Sequence, residues 1–419
     1  AYALVDDCDA LDAWHLMLTE RKRMGLEKHF DAGQLIDSRE RRRIVGDYTL
    51  TTVDILAQRT FPDTLLQMRS NFDAAGFPNS QMLLIKDMKG PVFLTNMPYR
   101  CFLPAGLDGI YSIGLGASAE RDAMTLVRMQ PDLQNQGYAI GVAAAMAVLN
   151  DIPTRDLDID VLQKKLVEVG ILPANARATP DSFPPSAKAI RAAVAEVRRM
   201  ALKVDHSQGK MSSLGSEVLE TEDTRNYRSL AIIVAAPNLS IPVLKDALSS
   251  ATDTTHRLNY AKILAFLGDS SGTSDLVAYA EEHDWDNGYP WTTHRKQNNT
   301  FTEMDRVILA LGLCQGADAA QAIHQKIRQL KPGHELSHFL AASYAFKHHP
   351  SKKLHPLLIQ LLESKGFSGH VQPYSTDKLM ERKNTGKTGT NSMNYAVKEM
   401  TVAGMMIVAG DPDGTGRKI

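Results

Sequence analysis

The sequence is short of cysteine, of aromatic side chains and of net charge, and each shortage closes off a class of protein. Only three cysteines, Cys8, Cys101 and Cys314, are scattered over 419 residues. They are odd in number and far apart, so they form neither a disulfide framework nor the close pairs of a structural metal site. Against 48 acidic residues stand 47 basic ones, a formal charge of −1. Without a basic excess, no nucleic acid and no anionic membrane is expected as a partner. Aromatic residues make up 6% of the chain. No apolar run approaches the ~20 residues that a helix needs to cross a bilayer. Residue 1 is an alanine, and the basic and apolar stretches of a signal peptide do not follow it. The reading at this end is a processed chain or a piece of a longer product, and the compartment stays open between periplasm and cytoplasm.

What is present is ordinary globular composition, with 43% hydrophobic and 23% charged residues. The length leaves room for two or three cores. Residues 1–172 read as mixed α/β. Helices are expected from Asp12 to Phe30, Leu133 to Leu149 and Asp160 to Val169, with strands at Ile44–Leu50, Met82–Lys86, Pro91–Leu94 and, most clearly, the apolar run Gly109–Gly114 between glycines. Residues 173–228, rich in Pro, Ser, Gly and charge at their flanks, read as a linker with one helix from Ser186 to Leu202. Residues 229–419 give helix after helix in units of roughly 35–45 residues, the texture of HEAT-like helical repeats. The apolar pattern from Ala403 onward runs into Gly410-Asp411-Pro412-Asp413-Gly414, and the stack is expected to be truncated there.

Three stretches in order resemble a known family. They are Arg42-Arg43-Ile44-Val45-Gly46-Asp47-Tyr48-Thr49-Leu50-Thr51, Met97-Pro98-Tyr99-Arg100-Cys101-Phe102-Leu103-Pro104, and Arg128-Met129 with Gln136-Gly137-Tyr138-Ala139-Ile140-Gly141 through Ala147. Together they resemble the carboxy-terminal half of the bacterial FAD-dependent oxidoreductases found in carbohydrate gene neighbourhoods, some of them labelled xanthan-lyase-like. The resemblance spans residues 12–172. It implies an α/β fold, the rear half of a two-dinucleotide-fold flavoprotein similar to glutathione reductase, followed here by the all-α tail. It also implies FAD as cofactor, Tyr99 and Arg100 beside the isoalloxazine ring, and Arg43, Gly114, Arg128, Gln136, Gly137 and Gly141 on the cofactor side. Arg43 and Tyr48 would lie between the flavin and substrate regions, where a plain structural role serves equally well.

The residues themselves fit this reading and one blander reading. Gly137, Gly141 and Ala145 lie four apart, so one helix face carries almost no side chain and admits a sheet or a flat ligand. The helix begins after Pro131-Asp132, and its partly positive end suits a flavin carbonyl or a pyrophosphate. Arg100 suits an anionic reduced flavin, a substrate hydroxyl or an ordinary salt bridge.

There are also departures from the family pattern. Gly114-Leu115-Gly116-Ala117-Ser118-Ala119 replaces its Gly-Arg and also fits a Gly-x-Gly-x-x-Ala template, yet no acidic ribose-binding residue follows. Tyr138 stands where a small residue is usual. No Gly-x-Gly-x-x-Gly element occurs before residue 109. The chain is therefore expected to touch the flavin end of FAD, with a second polypeptide supplying the front half that anchors the dinucleotide. A fragment or a flavin-free relic is the alternative.

A competing motif lies in the tail, where His334-Glu335-Leu336-Ser337-His338 matches the zinc-peptidase pattern His-Glu-x-x-His. Pro332-Gly333 places His334 at or before a helix start, so the motif more simply reads as a solvated helix beginning, and no metal is expected. Trp285, Tyr289 and Trp291 with Asp284 and Asp286 suit a sugar ring or the cap of a repeat. His348, His349 and His355 read as surface residues. The expected function is an FAD-dependent oxidoreductase, once completed by its front half. It would pass a hydride from a small-molecule or sugar substrate to flavin N5, with His15 and Tyr48 as possible bases and the helical tail as a binding arm. A non-catalytic solenoid interaction protein and a zinc hydrolase are the other readings.

Overall fold

The computed structural model describes residues 42–72, 79–80, 82, 85, 92–200, 222–290, 301–371 and 390–418. The expected helix over 12–30, with His15 and Cys8, lies outside the described residues, as do Trp291 and most of the expected strand over 82–86.

Apolar residues on both faces give two paired strands, β1 (Thr64–Ser70) and β2 (Phe93–Pro98). They run antiparallel, with Gln67 opposite Asn96 and Arg69 opposite Leu94, and the register slips between Thr64 and Leu66. Helix α1 (Thr52–Ala57) packs on β2, and its first turn is closed by a capping box between Thr51 and Asp54. Three helices cover β1: α2 (Arg121–Val127), α3 (Gln130–Leu149) and α4 (Ile159–Glu168). Pro131 sits in the first turn of α3, where its missing N–H has no helical partner to lose. The Asp158 side chain caps α4 by accepting from the Val161 amide at 3.2 Å. Both helices start within three residues of where the sequence places them.

The described sheet is smaller than the sequence leads one to expect. Among the described residues the two-stranded ribbon is the whole sheet, and the parallel sheet of a two-dinucleotide fold is not present. Ile44–Leu50 contributes only isolated bridges, Gly46 to Pro104 and Leu50 to Ala119. The run over 109–114 is an extended loop, and Ile110 and Ile113 are 52% and 45% exposed. An apolar alternation becomes a strand only where a neighbouring backbone takes its N–H and C=O groups. Beside 109–114 the described backbone supplies one such bond, from the Ser112 amide to the Phe102 carbonyl at 3.0 Å, and no ladder forms.

Residues 177–182 are tied to this front part. Thr60 donates from its amide to Ser182 Oγ, Arg177 pairs with Asp160, and the Ala178 amide reaches Gln163. Helix α5 (Ala187–Val197), capped by Ser186, then packs on α6 (Glu222–Ala235), which lies against α1.

Beyond residue 222 every described regular element is helical. After α7 (Pro237–Ser250) come α8 (Thr254–Phe266), α9 (Thr273–Glu282), α10 (Glu303–Leu313), α11 (Ala317–Arg328), α12 (Leu336–His348), α13 (His355–Glu363) and α14 (Thr390–Val408). Helices α8, α10, α12 and α14 pack one on the next as an inner row, while α9 and α11 pack together outside them. The inner row is close-packed. A Cβ at Gly312 of α10 would stand 2.7 Å from Ala345 Cα on α12, so only glycine fits. Between α8 and α10 the fully buried Lys262 ammonium is neutralised by Glu303.

Candidate functional site

The loop after β2 and the start of α3 are joined by one side chain. Gln136, fully buried, accepts from the Gly114 amide at 2.9 Å through Oε1 and donates to the Val127 carbonyl at 2.9 Å through Nε2. It thereby ties the glycine turn to the end of α2 and the first turns of α3. Gly114 adopts φ +66°, a conformation that glycine enters without strain. The structure thus brings together Gly114, Gln136 and Arg128, the residue that follows α2.

The turn does not resemble a phosphate cradle. The Gly116 amide donates to Ile113, that of Ala117 to Gly114, and that of Ser118 to the Cys101 carbonyl. With the Gly114 amide on Gln136, four backbone donors of Gly114–Ser118 are already used inside the fold. A dinucleotide turn needs such donors free to meet a pyrophosphate. The Gly-x-Gly-x-x-Ala match is a structural loop.

Gly137 and Gly141 lie one turn apart on the opposite side of α3, and a Cβ at either would meet nothing within 4 Å. Ala145, further along that side, is exposed. Among the described residues the small-residue face is therefore open and packs on no sheet. Its neighbours include Tyr138, 50% exposed, and Val148, 79% exposed.

Tyr99 and Arg100 are held, not loose. The Tyr99 hydroxyl donates to the Thr154 carbonyl at 2.6 Å and meets the Tyr111 hydroxyl at 2.6 Å. Burial and then the Tyr111 hydrogen bond push its pKa far up, so it stays a neutral phenol. The Arg100 guanidinium grips Asp63 with Nε at 2.9 Å and Nη2 at 3.1 Å and stacks over the Tyr48 ring. Its side chain is still 40% exposed. The ordinary salt bridge foreseen for Arg100 is present.

Tyr48, named as a possible base, donates to Asp54 at 2.7 Å and accepts from Arg59 at 2.9 Å. Burial and the Asp54 charge raise its pKa, which removes it from base duty at neutral pH. Arg59 is the better-connected cation, with a bidentate pair to Asp181 and a stack over Phe61, and no motif announced it. Arg43 is half-buried at the edge of the segment that pairs with Gly116. Asp132 in the first turn of α3 was also missed as a titrating group, although Pro131-Asp132 marks the helix start. Burial alone lifts its carboxyl to about 6.

In the tail, α12 begins at Leu336 with Glu335 as its N-cap, so His334 lies before the helix and the two imidazoles share no helical face. Both ring nitrogens of His338 are engaged, Nδ1 with Asp305 at 2.6 Å and Nε2 with the Asp286 carbonyl at 3.0 Å. Burial opposes the imidazolium, but the hydrogen bond and charge of Asp305 outweigh it and raise the pKa. His338 thus has no nitrogen free for zinc. Trp285 donates to the Lys326 carbonyl at 3.0 Å and packs on His338, which is the capping arrangement. The surface reading of the remaining histidines fails at two positions. His349 hydrogen-bonds the Cys314 carbonyl at 2.9 Å, and His355 is buried at the head of α13.

Comparison with known proteins bears on the front part. Residues 13–166 match the FAD dependent oxidoreductase family model. That span includes Tyr99, Arg100, the Gly114 turn and all of α3. The family's cofactor is FAD. No curated protein and no solved structure matches the chain.

Proposed function

We propose that this chain carries the flavin-contacting half of an FAD-dependent oxidoreductase that oxidises a carbohydrate-related substrate. The observation that carries the reading is the open face at Gly137 and Gly141, within the span that matches the oxidoreductase family. A planar ring needs such a surface, where backbone and ligand approach without intervening side chains. The fit is selective. The face suits the isoalloxazine ring, whereas the used amides of Gly114–Ser118 leave no cradle for the pyrophosphate. The ADP half of FAD is therefore assigned to a separate polypeptide or segment. The exposed Ile110 and Ile113 are the natural place for its sheet to dock.

The chemistry FAD supplies when bound is acceptance of a hydride at its N5 atom. Gln136 keeps the glycine turn and the helix start in register, which fixes the ring-facing surface. Arg100, anchored by Asp63 and partly exposed, orients a substrate hydroxyl with the edge of its guanidinium that Asp63 leaves free. The helical stack, read as HEAT-like repeats, serves as the substrate- or partner-binding arm.

The substrate class is tested by loading the chain with flavin, excluding oxygen and adding a panel of aldoses and polyols. Bleaching of the flavin absorbance by a sugar is the expected result. Bound flavin that no sugar reduces would remove the carbohydrate substrate while leaving the cofactor reading intact.

A further inference from the structure

The C-terminal loop folds back onto the head of α13. Helix α14 ends at Val408; Gly410, two residues on, has φ +107°, and the next residue, Asp411, is itself left-handed at φ +33°. The Asp411 carboxylate then accepts from two backbone amides, Gly416 at 3.0 Å on Oδ1 and Arg417 at 3.2 Å on Oδ2. Gly416 is required there, because a Cβ would stand 2.8 Å from the Ala403 carbonyl oxygen of α14. Asp411 is therefore a fixed, buried acceptor, 5% exposed. Asp413 lies two residues on with its side chain 46% exposed.

Opposite them stands His355, the first residue of α13 and 7% exposed. Its Nε2 is buried and hydrogen-bonded to nothing. Asp411 Oδ1 lies 3.9 Å from it and Asp413 Oδ1 3.7 Å, both too long for a hydrogen bond. One donor atom from each residue falls within 4.8 Å of the others. A buried ring nitrogen without a partner is unfavourable, and two carboxylates facing it at this spacing leave room for an atom between them.

We propose that His355, Asp411 and Asp413 bind one divalent transition-metal ion, with Zn²⁺ the best fit to the donor set. One imidazole and two carboxylates offer the borderline nitrogen and oxygen ligands that zinc takes, whereas an all-oxygen set would suit calcium or magnesium. With ligand bonds of about 2.0–2.1 Å, a tetrahedral site has ligand–ligand edges of about 3.3–3.4 Å. The observed 3.7 and 3.9 Å edges need to close by about 0.3–0.6 Å, and the carboxylate–carboxylate edge lies within 4.8 Å. Asp413, half exposed and held through Oδ1 by the Thr415 amide at 3.1 Å, makes that movement with its loop. The two backbone amides on Asp411 orient its carboxylate as outer partners orient a metal ligand, and water completes the coordination. The ion would clip the loop after α14 to the start of α13.

The test uses the full chain, stripped by a chelator and then given Zn²⁺ alone. The wild type is expected to retain one zinc per chain after gel filtration and to melt at a higher temperature than the stripped protein. Asp413→Asn is expected to melt like the stripped wild type without zinc, since its side chain is half exposed, and to bind zinc at least about tenfold more weakly. His355→Gln is expected to lose binding altogether. Failure of the wild type to retain zinc, or equal retention by Asp413→Asn, would overturn the assignment, the second outcome placing the metal elsewhere, for instance at His334.

Discussion

Gln136 holds Gly114 by its backbone amide across 22 residues of sequence, and the same side chain reaches back to Val127. One buried carboxamide thus sets the angle between the loop after β2, the end of α2 and the start of α3. The candidate flavin surface exists because these three pieces keep their register.

Truncating this side chain has a definite expected outcome. Gln136→Ala leaves the buried Val127 C=O without its side-chain partner, worth about 1–3 kcal/mol, and removes the bond to the half-buried Gly114 N–H, worth about 1 kcal/mol. Urea denaturation is expected to show a loss of about 2–4 kcal/mol, with the slope of the transition unchanged. A loss below about 0.5 kcal/mol would mean that water replaces the side chain and that Gln136 is not the latch.

Asp132 gives the front part a pH signature. Its folded pKa of about 6 exceeds the ordinary 3.8, so the folded state holds this proton more tightly than the unfolded one. Stability is therefore greatest below the unfolded pKa and falls as pH rises through the window from about 4 to about 6. Allowing for partial exposure, the group costs on the order of 1 kcal/mol above that window. Asp132→Asn is expected to melt like the wild type at pH 4 and higher at pH 7. An unchanged melting difference across that range would contradict the burial of this carboxyl.

Legibility followed the range of the interactions. Helix α3 was readable because its determinants are local: Pro131 at the start, alanine-rich text, and glycines four apart. The position of the α12 start was likewise readable from Pro332-Gly333, whereas its expected solvation was not met, since Leu336, Ser337 and His338 are buried. The run over 109–114 was misread because strand text needs a neighbour, and no local signal reports whether one is there. Tyr99 looked like a loop residue near a ring, yet it is locked by a carbonyl 55 residues away. His355 looked superficial because the loop that buries it returns only after α14. Charge partners such as Asp63 for Arg100 and Asp305 for His338 belong to the same class, invisible until the chain is folded.

The central claim is that α3 presents a flavin-binding face, and Gly137→Leu with Gly141→Leu tests it most directly. Both Cβ positions point into open space, and leaving glycine improves helix propensity by about 0.8 kcal/mol at each site, so the double variant is expected to be at least as stable as the wild type. Flavin fluorescence titration of the wild-type chain is expected to saturate, with FMN binding nearly as well as FAD because this chain holds the ring and not the ADP end. The double variant is expected to bind either flavin at least about tenfold more weakly, about 1.4 kcal/mol of lost affinity. No saturable binding by the wild type, or equal binding by the folded double variant, would contradict the account.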